Sequence, residues 1–137
     1  MRGTLFRGKD TESGEWLYGW VFGEKAKSII EINTKYIDRD GIEAYYTSPI
    51  IPETVGQYTG LDDKSGMKIF EGDVVIDRYD KKGYVAFLQQ EMGYSIVYEY
   101  HDSRIGHRSR GGLYDRDYGL EIIGNIHDNP ELVGARE

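Results

Sequence analysis

Residues 52–75 read Pro52-Glu53-Thr54-Val55-Gly56-Gln57-Tyr58-Thr59-Gly60-Leu61-Asp62-Asp63-Lys64-Ser65-Gly66-Met67-Lys68-Ile69-Phe70-Glu71-Gly72-Asp73-Val74-Val75. Two β-prone arms, Val55 to Thr59 and Met67 to Phe70, flank Asp62-Asp63-Lys64-Ser65-Gly66. Asp early and Gly late suit a type I turn closed by a left-handed residue, a conformation glycine adopts without steric cost. Glu71-Gly72-Asp73 predicts a bend or bulge into Val74-Val75-Ile76-Asp77. The run is therefore strand, turn and strand, and it sets the expected fold class as antiparallel β.

The same signals extend downstream. Asp80-Lys81-Lys82-Gly83 reads as a second hairpin turn, with Tyr84 to Leu88 pairing back on Val74 to Ile76. Tyr94 to Tyr100 follows as a strand. His101 to Asp117 is polar and Gly-rich and reads as a long loop. Tyr118 to Ile126 supplies a last strand, and Asn129-Pro130 opens a terminal turn. Upstream, Glu15 to Phe22 reads as a strand with Trp16, Tyr18, Trp20 and Phe22 on one face. Ser28 to Asn33 is rich in β-branched residues, Asp38-Arg39-Asp40-Gly41 is a turn, and Ile42 to Thr47 is a short strand. Pro49 and Pro52 punctuate the approach to the central run. No stretch of ten residues carries a helical period. The expectation is a mainly β protein with little helix, a small barrel-like or bent antiparallel sheet built from meander hairpins. It is expected as one domain over 1–137, with an N-terminal β subregion over 1–50 and a central and C-terminal β barrel over 51–133 as its subdivision.

Composition agrees. Glycine contributes 18 of the 137 residues and tyrosine 12, against a usual glycine share of about 7%. Many turns and strand-favouring aromatic rings follow from that. The 24 acidic and 17 basic residues give a net charge of −7, which argues against broad attraction to nucleic acid or anionic membranes. No cysteine is present, so disulfides and thiolate chemistry are excluded. No apolar run approaches the ~20 residues that span a bilayer, and no signal-peptide core is evident. The expected setting is soluble and cytoplasmic, with no membrane partner.

Several segments of the chain together resemble the YopX family of bacteriophage and prophage proteins. The resemblance rests on Phe6-Arg7-Gly8-Lys9, Gly14-Glu15-Trp16-Leu17-Tyr18-Gly19, Gly56-Gln57-Tyr58-Thr59-Gly60-Leu61, Ile69-Phe70-Glu71-Gly72-Asp73-Val74-Val75 and Ile123-Gly124-Asn125-Ile126-His127-Asp128-Asn129-Pro130-Glu131-Leu132. It covers nearly the whole chain in the family's order. It implies a phage or prophage origin, a bacterial cytoplasmic setting, a mainly β fold and homo-oligomer formation. It carries over no established enzymatic activity. Residues 24–48 and 100–118 depart most from the family's pattern, and a specific partner is expected to be read there. Gly56, Tyr58, Gly60, Gly66, Gly72, Asp73, Gly124 and Pro130 are expected to be architectural.

Each candidate site also has a structural role open to it. Glu71-Gly72-Asp73 offers paired carboxylates for a metal or for acid–base work. The stronger reading is a glycine bulge in which Asp73 binds nearby backbone amides. Asp62-Asp63-Lys64-Ser65-Gly66 superficially resembles a calcium loop, but Lys64 stands where a ligand is needed. His101, His107 and His127 match no zinc spacing. Gly106 to Gly112 lacks the Lys-Ser/Thr ending of a phosphate loop. No catalytic constellation emerges, so a non-enzyme without cofactor or metal is expected.

Two surfaces remain. Trp16, Tyr18, Trp20 and Phe22 form an aromatic face, read first as core, second as a subunit interface and third as a ligand-stacking platform; beside a homo-oligomer, a host or phage protein is the expected kind of partner. Arg104, Arg108, Arg110 and Arg116, with Tyr100, Tyr114 and Tyr118 nearby, form the one basic concentration. Arginine interleaved with aromatics is able to track a nucleic-acid strand, and the plain alternative is a solvated loop. The expected function is a phage accessory protein acting by protein interaction or self-assembly. The alternative is a nucleic-acid-associated module using the Arg104 to Arg116 segment.

Overall fold

Short alternating apolar runs separated by Asp- and Gly-bearing turns favour hairpins over any longer-range element. The computed structural model describes residues 5–32, 34–89, 92–102, 107–112 and 119–133, with 99–102 and 107–112 described as backbone. Among these residues the strand pairings are antiparallel, and the helical segments are short 3₁₀ turns such as Glu24–Ala26 and Pro130–Val133. The chain divides into two compact units, Met1–Tyr58 and Thr59–Glu137.

In the first unit β1 (Phe6–Asp10), β2 (Trp16–Phe22) and β3 (Ser28–Glu31) are followed by a small separate hairpin, β4 (Tyr36–Ile37) and β5 (Glu43–Ala44). The long strand β6 (Thr47–Asp62) comes next. β1 pairs with β2, β2 with β3, β3 with the start of β6, and β6 returns to β1. The four strands thus close a ring of ladders.

Closure requires β6 to bend. Lys9 pairs with Ile51 but Arg7 already pairs with Gly56, so residues 52–55 bulge opposite Gly8. Thr54 holds the bulge: its Oγ1 accepts the Lys9 N–H at 2.9 Å, and its hydroxyl donates to the Ile51 carbonyl at 2.6 Å. Pro52 sits in the bulge, where a missing N–H removes no ladder bond. The prolines therefore lie within β6 rather than before it. Ile29 and Ile50 are the fully buried apolar side chains of this unit. A Cβ on Gly8 would lie 2.7 Å from Ile50 Cδ1, so any larger residue there would displace the buried Ile50 side chain.

In the second unit residues 59–62 of β6 pair with β7 (Lys68–Phe70). β8 (Asp73–Ile76), β9 (Lys82–Leu88), β10 (Gly93–Asp102), β11 (His107–Gly112) and β12 (Glu121–Asn125) form a sheet in the order β11-β10-β9-β8-β12. Ile69, Val75, Val85, Ile96, Tyr98 and Leu120 make its core. Burying each such side chain stabilises the fold by roughly 1.5–3 kcal/mol relative to exposing it.

Two expectations need correction here. The second hairpin turn is Asp77 to Lys81, not residues 80–83, and Gly83 lies inside β9 opposite Val75 and Tyr98. A Cβ at Gly83 would meet the Val97 carbonyl at 2.6 Å, so this glycine marks close strand packing rather than a turn. The segment read as a loop from His101 to Asp117 also contains ladder: β10 runs on to Asp102, and His107–Gly112 pairs with it. A polar, Gly-rich strand forms because β10 supplies the partner backbone, and strand preference depends on such context.

Three hairpins share one turn design that the sequence did not announce as a repeat. At Asp38, Asp63 and Asp77 the carboxylate Oδ1 accepts the N–H groups two and four residues later, at 2.9–3.0 Å. In each, the backbone carbonyl of the Asp accepts from the residue three later. That third residue is left-handed in every case: Gly41, Gly66 and Asp80. The aspartate carries the turn amides that water or a ladder would otherwise have to satisfy.

Candidate protein-interaction surface

β2 is assembled so that its two faces meet different surroundings. Leu17, Gly19 and Val21 share one face. Cross-strand partners place Gly8 beside Leu17 and the fully buried Ile29 beside Val21. Gly19 is obligatory there, since a Cβ would lie 1.7 Å from the Ile30 carbonyl oxygen. The opposite face carries Trp16, Tyr18, Trp20 and Phe22. None of these four is in the fully buried core: Trp16 and Trp20 are half-buried, while Tyr18 and Phe22 are 39% and 45% exposed. The core reading of this aromatic set is thereby corrected.

Charge and stacking hold these rings in place. The Arg7 guanidinium lies 4.6 Å from the Trp16 ring centroid and Lys9 Nζ lies 5.7 Å from it. Contacts of this type contribute about 0.5–2 kcal/mol each. Trp20 meets Tyr45 edge to face with centroids 6.1 Å apart. Tyr36 and Tyr46 stack at 4.9 Å. The Tyr18 carbonyl accepts from Ile32 N–H, and the Tyr46 carbonyl from Glu31 N–H. These bonds carry the aromatic surface from β2 across β3 to the β4–β5 hairpin.

Sequence reasoning missed the hairpin's contribution. Tyr36, Ile37, Ile42 and Tyr46 are exposed, Tyr46 at 59%. The available signal was an apolar and aromatic residue pair on each side of the Asp38-Arg39-Asp40-Gly41 turn.

The remaining named residues take other places. Asp73 is buried, and its Oδ2 accepts the Phe70 N–H at 2.8 Å across the left-handed Gly72. This is the geometry of a backbone-binding bulge. Gly60 and Gly66 are left-handed, Gly56 pairs with Arg7, and Tyr58 N–H donates to the Leu5 carbonyl. Gly124 lies in β12 where a Cβ would press on Asn129 Oδ1 at 2.6 Å and Leu132 Cδ1 at 2.9 Å. Pro130 opens the final 3₁₀ turn that this glycine admits. His101 and His107 lie in β10 and β11, and His127 in the turn after β12, where its N–H donates to Asn125 Oδ1. Among the described residues no three His, Asp or Glu side chains converge as metal ligands. Arg108 and Arg110 belong to β11. Arg104 and Arg116, and Tyr114 and Tyr118 with them, lie outside the described residues.

Asp63 combines burial with several backbone amide partners. Its side chain is buried, Oδ1 accepts from Ser65 and Met67, and Oδ2 accepts the Ile122 N–H of β12 at 3.0 Å. Burial pushes the carboxyl up, but the amides of Ile122, Met67, Ser65 and Gly66 together outweigh it and hold the group below its ordinary value. A carboxylate accepting several backbone N–H bonds behaves this way because each bond favours the charged form. Its role is to tie the β6–β7 turn to β12.

Ring-closed and open antiparallel ladders, joined by Asp-held turns and bearing an aromatic outer face, define a small, mainly β protein. The chain belongs to the YopX family: the family model, described as YopX protein, matches residues 5–134. Among solved structures it is similar to the crystal structure of protein EF1440 from Enterococcus faecalis. That likeness has a TM-score of 0.52 at 24% identity, over 97% of this chain and 99% of the other, and concerns the fold. No curated protein matches the chain. No helix among the described residues is long and apolar enough to cross a membrane.

Proposed function

We propose that this protein is a phage or prophage accessory protein that acts in the bacterial cytoplasm by binding another protein through the aromatic face of its first unit. The partner is a second copy or a host or phage protein. The carrying observation is the set of exposed rings, Tyr18, Phe22, Tyr36 and Tyr46, backed by half-buried Trp16 and Trp20. Aromatic residues on a rigid backbone give large contact area at small entropic cost and are enriched at protein interfaces. Family membership supports the phage setting.

The test uses the tagged chain and its Tyr18→Ser/Phe22→Ser variant. Each is captured from phage-carrying host cells with and without nuclease, and each is sized in solution. The expected result is a stoichiometric protein partner, or a defined oligomer, that survives nuclease and is lost in the variant. A partner retained equally by the variant refutes the assignment of this face. A signal lost on nuclease treatment refutes the protein-binding reading.

A further inference from the structure

The charges of the first unit are sorted by face. Arg7 and Lys9 lie opposite Tyr18 and Trp16, so they share a face with the ring row Trp16, Tyr18, Trp20 and Phe22. Asp10 belongs to the alternate set of β1 and lies opposite the buried Ile50. Along β3, Ser28 and Ile30 lie opposite Phe22 and Trp20, whereas Glu31 lies opposite Gly19 of the other face. Within β1, β2 and β3 the charged residues beside the rings are thus cations, on a chain of net charge −7. Beyond Phe22, the connection Gly23-Glu24-Lys25-Ala26-Lys27 adds two exposed lysines against one glutamate. The backbone beneath the rings is fully committed: β2 pairs with β1 and β3, and β3 with β2 and β6. A partner therefore meets side chains there and no open ladder. Tyr45 holds Trp20 edge to face, and among the described residues no hydrogen bond engages the Trp20 indole N–H or the Tyr45 hydroxyl.

We propose that this face binds a proline-rich segment flanked by acidic residues, which rests on the protein-binding reading above and names the chemistry of the partner. A polyproline helix has no internal hydrogen bonds, so its carbonyls stay available as acceptors, and its prolines bring no N–H that needs a partner. Those carbonyls suit the Trp20 and Tyr45 donors, and pyrrolidine rings pack against aromatic side chains, the mode by which aromatic-lined surfaces take such segments. An α-helix has already used its carbonyls internally, so it leaves the donors without acceptors and binds less well. Carboxylates flanking the prolines meet Lys9 at one end of the ring row and Lys25 and Lys27 at the other. A second copy is a poor occupant, because an isologous contact sets the same cations and the same donors against themselves. A nucleic-acid strand suits rings and cations, but the net charge of −7 opposes its approach.

The probe is a fluorescent peptide of prolines flanked by glutamates, titrated by anisotropy against the full-length protein. Titrated beside it are the same peptide with lysines in place of the glutamates, an alanine-based helical peptide of equal charge, and a single-stranded oligonucleotide. The expected result is saturable binding of the glutamate-flanked peptide, weakened about tenfold in Phe22→Ser. A loss of roughly three- to tenfold is expected in Trp20→Phe, which keeps a ring and removes the N–H. The lysine-flanked form is expected to bind about tenfold more weakly. Circular dichroism checks that Phe22→Ser folds, and Tyr45→Ser, with the same expected loss, serves if it does not. Absence of binding up to millimolar concentration overturns the proposal. So do equal affinities for the lysine-flanked or helical peptide, or preferential binding of the oligonucleotide. Partner capture by Tyr18→Ser/Phe22→Ser is read in parallel: capture lost in that variant, with no proline peptide bound by the parent protein, overturns the proline assignment and leaves the protein-binding reading standing.

Discussion

Replacing Asp63 with alanine removes the acceptor of three backbone N–H groups at once: Ser65 and Met67 at 2.9 Å and Ile122 at 3.0 Å. A hydrogen bond to a charged group contributes about 1.5–3 kcal/mol, and a buried amide left without an acceptor costs about 1–3 kcal/mol. The three are not additive, because the two turn amides gain access to water once the side chain is gone. The Ile122 amide, on a strand, gains less. A total of about 3–4 kcal/mol is expected for Asp63→Ala, and roughly 2 kcal/mol for Asp63→Asn, which keeps one acceptor oxygen. The natural control is Asp38→Ala. Asp38 accepts the same two turn amides but makes no third bond to another strand, so about 1 kcal/mol is expected there. Urea unfolding followed by circular dichroism measures these differences, and hydrogen exchange at the Ile122 amide reports the lost cross-link directly. The reasoning fails if Asp63→Ala costs no more than Asp38→Ala, or if Ile122 keeps its protection.

Further expectations follow from the same geometry. Because the Asp63 carboxyl is lowered in the fold, its contribution is fully present above the unfolded carboxylate value and is lost as pH falls through the folded one. Acid titration of stability in Asp63→Asn should be flatter across that window. Asp80 holds φ +63 where the two sister turns have glycine, so Asp80→Gly should raise the urea midpoint by about 0.5–1 kcal/mol of stability. Gly19→Ala should cost more than about 3 kcal/mol, because its Cβ would lie 1.7 Å from a backbone oxygen that cannot yield by rotating a side chain. Gly124→Ala meets the ends of Asn129 and Leu132 and should cost less, about 1–2 kcal/mol, read as a smaller shift in thermal midpoint.

What the sequence disclosed was mostly local. The Asp63 to Gly66 turn, with Gly66 left-handed, follows from residue types whose turn geometry is intrinsic. The paired arms around it follow from period-two patterning. Where a residue's meaning depends on a distant strand, sequence reading went astray. Gly83 looked like a turn residue and proved to be a strand residue facing the Val97 carbonyl. Residues 107–112 looked like loop because their pairing partner is β10 rather than anything in their own composition. The aromatic face was read first as core, since nothing local to residues 16–22 records that Ile29 is buried beside Val21 on the other face. Tyr45 and Tyr46 were read only as part of a short strand, and Tyr36 was not singled out, because a strand of two residues such as Tyr36–Ile37 leaves no period to detect.

The seam between β1 and β6 has a consequence for how the chain is made. Phe6 pairs with Gln57 and Asp10 with Ile50, so the first ring is completed by residues that all precede Thr59. Forming it spans about fifty residues of chain, and non-local pairing of that kind is slow relative to hairpin formation. Hairpins β1–β2 and β2–β3 can form early in synthesis, yet β1 keeps an open side until Gln57 has emerged. A truncation ending just short of that residue leaves a nascent sheet with an exposed edge. A pause in translation there would hold the chain with that edge open to pairing with another chain.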